Sequence, residues 1–211
     1  MIPSKQEWTD ALILRHGEEL QKKFEQATVA VCGLGGLGSN ISIFLARAGI
    51  GKLILIDFDE VDVTNLQRQQ YKATQVGQYK TEAISENLRE IAPYLEIEAI
   101  NAKISEDNFE SLLKDADIIC EAFDNPEAKA MLTCAVLENM PEKFYVAGSG
   151  LAGMGKTNKI RTRRVSERFY LSGDGVSGSG PSVPLIAPRV GICAAHQAHT
   201  ILRIIAGKYD V

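Results

Sequence analysis

The sequence predicts an α/β protein: a doubly wound, mostly parallel sheet with helices on both faces and a short C-terminal extension. Three observations point that way. Segments of strand length alternate with segments of helical periodicity along most of the chain. One apolar run, Leu53 to Ile56, is uninterrupted, as a strand covered on both faces must be. The stretch Gly33-Leu34-Gly35-Gly36-Leu37-Gly38 stands between a predicted strand and a predicted helix, where an α/β sheet commonly carries a phosphate-binding turn.

In chain order, Trp8 to Gln26 reads as one helical segment and Thr28 to Cys32 as a short β-branched strand. Ser39 to Ala48 carries Ile41, Phe44, Leu45 and Ala48 at helical spacing and stops at Gly49. The strand Leu53 to Asp57 follows, then a helix over Val76 to Ile91 with Ile84, Leu88 and Ile91 on one stripe, ending before Pro93. Leu95 to Asn101, Asp117 to Ala122 and Phe144 to Ser149 read as further strands, with helices at Glu106 to Lys114 and Pro126 to Asn139 between them. Parallel neighbours need crossover helices, so this alternation argues for a Rossmann-like sheet whose ligands sit at the carboxyl ends of the strands. Beyond Ser149 the character changes: a basic, alternating stretch (Lys156 to Tyr170), a loop (Ser172 to Pro188) and a final helix (Val190 to Ala206). Eight of the 18 glycines lie between Gly148 and Gly180, so this region is expected to be loop-rich.

The 211 residues suit one domain with an appended segment. A formal charge of −4 lacks the basic excess of a general nucleic-acid binder, so no nucleic-acid partner is expected. No apolar run spans a bilayer and no signal-peptide core opens the chain, which predicts no membrane partner and a cytoplasmic location. Cys32, Cys120, Cys134 and Cys193 form no CxxC pair, so a thiolate zinc site is not expected. His16, His196 and His199 form no ligand set and are assigned to helix packing or the surface.

The glycine loop, with Asp57 closing the next strand 19 residues past Gly38, is a nucleotide signature that leaves NAD and ATP both open. The residues that follow favour ATP. Asp57 leads into Phe58-Asp59-Glu60-Val61-Asp62-Val63-Thr64-Asn65-Leu66-Gln67-Arg68-Gln69, then Val76-Gly77-Gln78-Tyr79-Lys80, and later Phe123-Asp124-Asn125. Two cations, Arg68 and Lys80, and a carboxylate, Asp124, thus fall near strand ends that converge on the loop. A triphosphate with a divalent cation requires that set, and a dehydrogenase does not.

These motifs, GLGGLG, LIDFDEVDVTNLQRQ, VGQYK and FDN, closely resemble the ThiF/MoeB/HesA family, related to the adenylation domains of ubiquitin-activating enzymes. The chain is most similar to short ThiF-type adenylyltransferases that act on the sulfur carrier protein ThiS in thiamine biosynthesis. The resemblance implies adenylation of the C-terminal glycine carboxylate of a small ubiquitin-like carrier ending in Gly-Gly, with ATP and Mg²⁺ and release of pyrophosphate. It implies an adenylation domain over 1–211, with an N-terminal helical segment (1–27), a nucleotide-binding core (28–150) and a region of carrier-binding loop, strand and final helix (151–211).

Carried over by position, the family pattern puts Gly33, Gly35, Gly36 and Gly38 under the nucleotide and Asp57 on the ribose. Thr64 and Asn65 lie in the same nucleotide-binding stretch, and Asn65, Arg68 and Lys80 face the phosphates. In the same pattern Asp124 is expected to bind Mg²⁺ with Asn125 beside it, and the resemblance implies Arg68, Lys80 and Asp124 as the catalytic set. Arg15 is the candidate for an arginine that reaches the phosphates of a neighbouring subunit, so a homodimer is expected. The C-terminal zinc region of longer members is missing, which again predicts no zinc. No cysteine lies in Gly150 to Arg189 to receive an activated carrier, and Cys193, in an apolar helical run, is expected to be a buried thiol. Lys129 stands where relatives often show Arg. The run Lys156, Lys159, Arg161, Arg163, Arg164 and Arg168 reads equally as a solvated strand edge or as a contact for an acidic carrier. The tract Ser172 to Ser182 is expected to be mobile until a carrier tail enters. Two other readings stay open: an NAD(P)-binding oxidoreductase, which leaves Arg68, Lys80 and Asp124 unexplained, and a noncatalytic nucleotide-binding partner subunit.

Overall fold

The computed structural model describes residues 1–178, 180 and 183–211. Its elements are α1 (Lys5–His16), α2 (Glu18–Gln26), β1 (Thr28–Cys32), α3 (Gly36–Arg47), β2 (Lys52–Asp57), α4 (Lys80–Ile91), β3 (Glu96–Asn101), α5 (Phe109–Leu113), β4 (Ile118–Glu121), α6 (Pro126–Asn139), β5 (Phe144–Gly148), β6 (Arg161–Arg164), β7 (Phe169–Gly173) and α7 (Ala187–Ile205). Seven strands form one sheet in the order β3-β2-β1-β4-β5-β7-β6. Every neighbouring pair is parallel except β6–β7.

Side-chain alternation sorts the core into two layers. Val29, Val31, Leu53 and Leu55 face α3, α4 and α7, while Ala30, Cys32, Ile54 and Ile56 face α5 and α6. The predicted uninterrupted run behaves as a doubly covered strand: Leu53 to Ile56 are each at most 1% exposed. Burying such a side chain contributes about 1.5–3 kcal/mol, so this strand favours a position with helices packed on both faces of the sheet.

Several predicted boundaries shift, each for a local reason. The N-terminal segment is two helices, because Ser4 caps α1 with a reciprocal Glu7 bond while Gly17 ends it and begins α2. The helix expected from Val76 starts only at Lys80. Its predicted first turn is occupied: the Val61 amide donates to the Gln78 carbonyl, and Lys80 N–H donates to the Asp59 carbonyl. The helix expected from Glu106 starts at Phe109, after Asn108 accepts the Ser105 amide through its side chain. The last helix begins earlier than predicted, at Ala187, with Pro188 in its first turn, where the missing amide costs no hydrogen bond.

The basic stretch folds into the β6–β7 hairpin, and β7 runs to Gly173. The loop predicted from Ser172 therefore begins two residues late. Asp174 then orders the chain through Oδ1, which accepts the amides of Val176 (3.0 Å) and Ser177 (2.8 Å). Of the tract expected to be mobile, Ser179, Pro181 and Ser182 lie outside the described residues.

Candidate active site

From β1 the chain steps through α3 and α4 to β2 and β3 on one side, then restarts with β4 on the other side of β1. The loops leaving the carboxyl ends of β1 and β4 therefore diverge, and such a switch point leaves a crevice open to a ligand. Gly33 occupies φ +91°, and a Cβ there would stand 3.0 Å from Phe123 Cδ1 and 3.1 Å from the Ala122 carbonyl oxygen. At its first residue the loop after β1 thus touches the turn after β4, before the two connections part. A Cβ on Gly38 would fall 1.8 Å from the Gly33 carbonyl oxygen, so only glycine lets α3 begin this close to the strand. Gly35 is the N-cap and Gly36 the first residue of α3, whose opening turn leaves amide N–H groups without intrahelical acceptors. Those amides, with the helix dipole, suit an anion.

The segment after β2 straps onto this loop. Asp57, 8% exposed, accepts the Leu34 amide on Oδ2 (2.6 Å) and the Asp59 amide on Oδ1 (2.8 Å). Burial pushes its carboxyl up, and the nearby Lys80 charge and the two backbone donors oppose that rise. Each oxygen keeps a lone pair for a further donor such as a hydroxyl. Asn65 Oδ1 accepts the Asp62 amide (3.0 Å), and the Thr64 hydroxyl donates to Asp62 Oδ1 (2.5 Å). Arg68 lies alongside: its Cγ and Cδ would each be 3.6 Å from a Cβ on Gly36, and its guanidinium donates to the Thr64 carbonyl (3.1 Å). Asn40 of α3 donates to the carbonyls of both Gly36 (2.7 Å) and Arg68 (3.1 Å), and Tyr71 hydroxyl donates to the Leu34 carbonyl (2.7 Å). Lys80, its side chain 8% exposed, meets Asp59 Oδ2 at 2.7 Å.

Asp124 sits exposed in the turn after β4, with no hydrogen bond or ion pair among the described residues. Asn125 is the N-cap of α6, its Oδ1 accepting the Ala128 amide (2.8 Å). Within this chain the structure therefore brings together Gly33, Gly35, Gly36, Gly38, Asp57, Thr64, Asn65, Arg68 and Lys80, and sets Asp124 and Asn125 on the adjoining turn. It does not bring Arg15 to them. Arg15 is exposed on α1, whose Leu12 packs at Gly49, beyond the far end of α3.

The residues fit a nucleoside triphosphate. Gln69, 7% exposed, has its side-chain nitrogen 3.8 Å from where a Cβ on Gly35 would lie, while its Oε1 is buried without a partner among the described residues. A buried acceptor left open beside the loop is costly unless a ligand satisfies it. Among the described residues no cluster of three or more His, Cys, Asp or Glu side chains could hold a metal by itself. Mg²⁺ in phosphoryl-transfer sites takes one or two carboxylates and completes its shell with phosphate oxygens and water, so the single carboxylate of Asp124 fits that ion.

Sequence reasoning assigned no role to five residues that the fold brings to this region. Asp59, the partner of Lys80, had a signal in its spacing of two from Asp57. Gln69 had none beyond its place in the motif. Glu121 and the Arg189–Asp174 pair are invisible without the fold, because their partners lie on other elements. Arg189 and Asp174 side chains, 6% and 7% exposed, meet at 2.6 Å, and the Arg189 guanidinium also donates to the carbonyls of Ala152 (3.2 Å) and Gly155 (2.9 Å). This staple ties the loop after β5 and the turn after β7 to the start of α7. Val190, next along, would meet a Cβ on Gly36 at 3.1 Å, so α7 also walls the glycine loop.

Cys193 is fully buried, and burial pushes its thiol up to about 12, far from a reactive thiolate. His196 packs with its Nδ1 3.1 Å from the Thr162 hydroxyl. The outer strand β6 exposes Arg161, Arg163 and Arg164, and Arg164 and Arg168 lie over aromatic rings of Tyr170, Tyr209 and Phe144.

A sequence-family model described as the ThiF family matches residues 9–211. Among curated proteins, the molybdopterin-synthase adenylyltransferase of Haemophilus influenzae is 38% identical over 113 residues, covering 53% of this chain and 46% of that protein. The adenylyltransferase and sulfurtransferase MOCS3 of Anopheles gambiae is 35% identical over 136 residues, covering 64% of this chain and 30% of that protein. The chain thus spans less than half the length of these relatives. Among solved structures, the E. coli tRNA N6-threonylcarbamoyladenosine dehydratase in complex with ATP superposes with a TM-score of 0.86 at 21% identity, covering 99% of this chain and 98% of that one. At that identity the likeness shows the fold.

Proposed function

We propose, for a chain that belongs to the ThiF family, that this site adenylates a carboxylate: the C-terminal glycine of a small ubiquitin-like sulfur carrier, at the expense of ATP. The observation that carries the reading is the convergence of Arg68 on the open first turn of α3, with Lys80 beside Asp57 and Asp59 and with Asp124, unpartnered among the described residues, on the turn that touches the glycine loop. Relatives named adenylyltransferases support it.

The nucleophile is a carboxylate already ionised at neutral pH, so the protein needs no general base. One carboxylate oxygen attacks the α-phosphorus, the bond from that phosphorus to the bridging oxygen breaks, and the electron pair leaves with pyrophosphate. What remains for the chain is orientation and charge compensation. In this reading the α3 amides cradle phosphate oxygens and Asp57 accepts from the ribose. Arg68 releases Thr64 to reach the phosphates, and Lys80 balances charge that builds on pyrophosphate. Asp124 holds Mg²⁺, which when bound neutralises phosphate charge as a Lewis acid. Asn65 and Asn125 hold the backbone of the two turns that present Arg68 and Asp124. Arg15 enters only from the second subunit of a homodimer.

The resemblance to ThiF-type enzymes points to a thiamine-type carrier, ThiS, whereas the names of the relatives point to molybdopterin synthase. The class of carrier, one ending in Gly-Gly, is common to both and is what we propose. A second reading has one specific support, the basic outer strand β6, which suits a polyanionic acceptor such as a tRNA. There the carboxylate belongs to a modified nucleoside of tRNA and the chemistry at phosphorus is unchanged. The test is incubation with ATP, Mg²⁺ and each acceptor in turn, read by mass spectrometry. A gain corresponding to AMP on a Gly-Gly carrier supports the first reading. AMP formation with tRNA alone supports the second, and neither, with tight NADH binding, returns the site to a dehydrogenase.

A further inference from the structure

Glu121 closes β4 with its side chain 1% exposed, on the sheet face that meets α6. Its carboxylate takes three bonds. Oε1 accepts the Phe123 amide at 2.6 Å, and Lys129 Nζ donates to Oε1 at 2.7 Å and to Oε2 at 2.9 Å. Burying this pair is a poor route to stability, since desolvation commonly cancels the attraction. Lys129 also lies in the first turns of α6, where the helix dipole disfavours a cation. The pair does something more specific: it fixes the turn from Ala122 to Asn125.

That turn is held from three sides. Glu121 grips the Phe123 amide, Asn125 caps α6 through the Ala128 amide, and the Phe123 ring packs against the glycine loop at Gly33. Asp124 alone in it has a side chain without a partner among the described residues. We propose that Glu121 and Lys129 are positioning residues that hold Asp124 in place for a divalent cation bound with the nucleotide. The proposal rests on the adenylation reading of Asp124 and is tested so that the two can fail separately.

The experiment measures ATP dissociation constants by isothermal titration calorimetry, in EDTA and in excess Mg²⁺, on the full chain. The ratio of the two reports how strongly cation and nucleotide support each other. Asp124→Asn should collapse that ratio. Glu121→Gln keeps an acceptor for the Phe123 amide and loses the charge that holds Lys129. It should lower the ratio about ten-fold or more, the usual size of an outer-shell effect on metal affinity. Its ATP affinity in EDTA should stay within about two-fold of the parent, a change small beside that effect. Lys129→Arg, which retains the ion pair, should recover most of the ratio, and Glu121→Gln combined with Asp124→Asn should be no worse than Asp124→Asn alone. If Glu121→Gln does not fold by circular dichroism, Lys129→Met carries the same expectation. An unchanged ratio in the Glu121 and Lys129 variants beside a collapsed one in Asp124→Asn overturns the proposal and spares the adenylation reading. An unchanged ratio in Asp124→Asn overturns the role given to Asp124, and the proposal with it.

Discussion

The Lys80 ammonium is nearly buried, meets Asp59 at 2.7 Å, and also acts on Asp57, whose carboxyl burial pushes up and whose rise that charge opposes. One lysine thus acts on both carboxylates, Asp57 and Asp59, and in the proposed reading on both the phosphate end and the ribose end of the nucleotide. Replacing it with Met removes the opposing charge, so the Asp57 carboxyl rises further. Protonated Asp57 loses one of the acceptors that brace the Leu34 and Asp59 amides, and nucleotide binding weakens as that proton goes on. ATP affinity measured across pH should therefore begin to fall at a higher pH in Lys80→Met than in the parent. An acid limb at the same pH in both would remove Asp57 from the account. At neutral pH the same variant should lose about 10²–10³-fold in adenylation rate, the usual cost of one donor to developing charge.

At the scale of elements, the glycines before and within α3 separate fold from ligand. Gly38→Ala places its Cβ 1.8 Å from the Gly33 carbonyl, so α3 must move off β1; a loss on the order of 3 kcal/mol in urea unfolding is expected. Gly35→Ala meets nothing nearer than Gln69 at 3.8 Å, so its unfolding midpoint should stay near that of the parent while ATP binding weakens. The Arg189–Asp174 staple is a second element-scale device. Its loss in Asp174→Ala leaves a buried guanidinium uncompensated and should cost about 3–5 kcal/mol. The Asp174 carboxyl is desolvated, which favours its neutral form, but the Ser177 and Val176 donors and the Arg189 charge outweigh this and hold it below the usual range. The contribution of a depressed carboxyl is complete above its unfolded value and disappears as pH falls through the folded one. Asp174→Asn should accordingly show a flatter loss of stability than the parent in acid titrations below about pH 4.

These cases also show what the chain discloses in order of residues. The glycine loop, Asp57 and the Arg68–Lys80 spacing are local patterns, and local patterns survive in a sequence. Helix starts at Lys80 and Phe109 are set by hydrogen bonds from chain that is not helical, so periodicity overruns them. Glu121 meets Lys129, and Arg189 meets Asp174, only once strands and helices are stacked. Nothing in the spacing of the basic stretch assigns it to a hairpin; β6 and β7 follow from the pairing of Arg161 to Arg164 with Tyr170 to Gly173.

For the molecule as a whole, the sheet order puts the candidate site at the junction of β1 and β4, and the other features read as support for that junction. The strap from Asp57 to Tyr71 closes it from one side, and α7 with its Arg189 staple closes it from another. The basic outer strand lies at the far edge of the same sheet. The central claim is that this junction joins a carboxylate to the α-phosphate of ATP with reversible loss of pyrophosphate. The most direct measurement is exchange of labelled pyrophosphate into ATP in the presence of a carrier ending in Gly-Gly. Exchange that requires the intact carrier tail and collapses in Lys80→Met is the predicted result. Exchange that proceeds equally without any acceptor, or no exchange with thiamine-type carrier, molybdopterin-type carrier and tRNA alike, would contradict it.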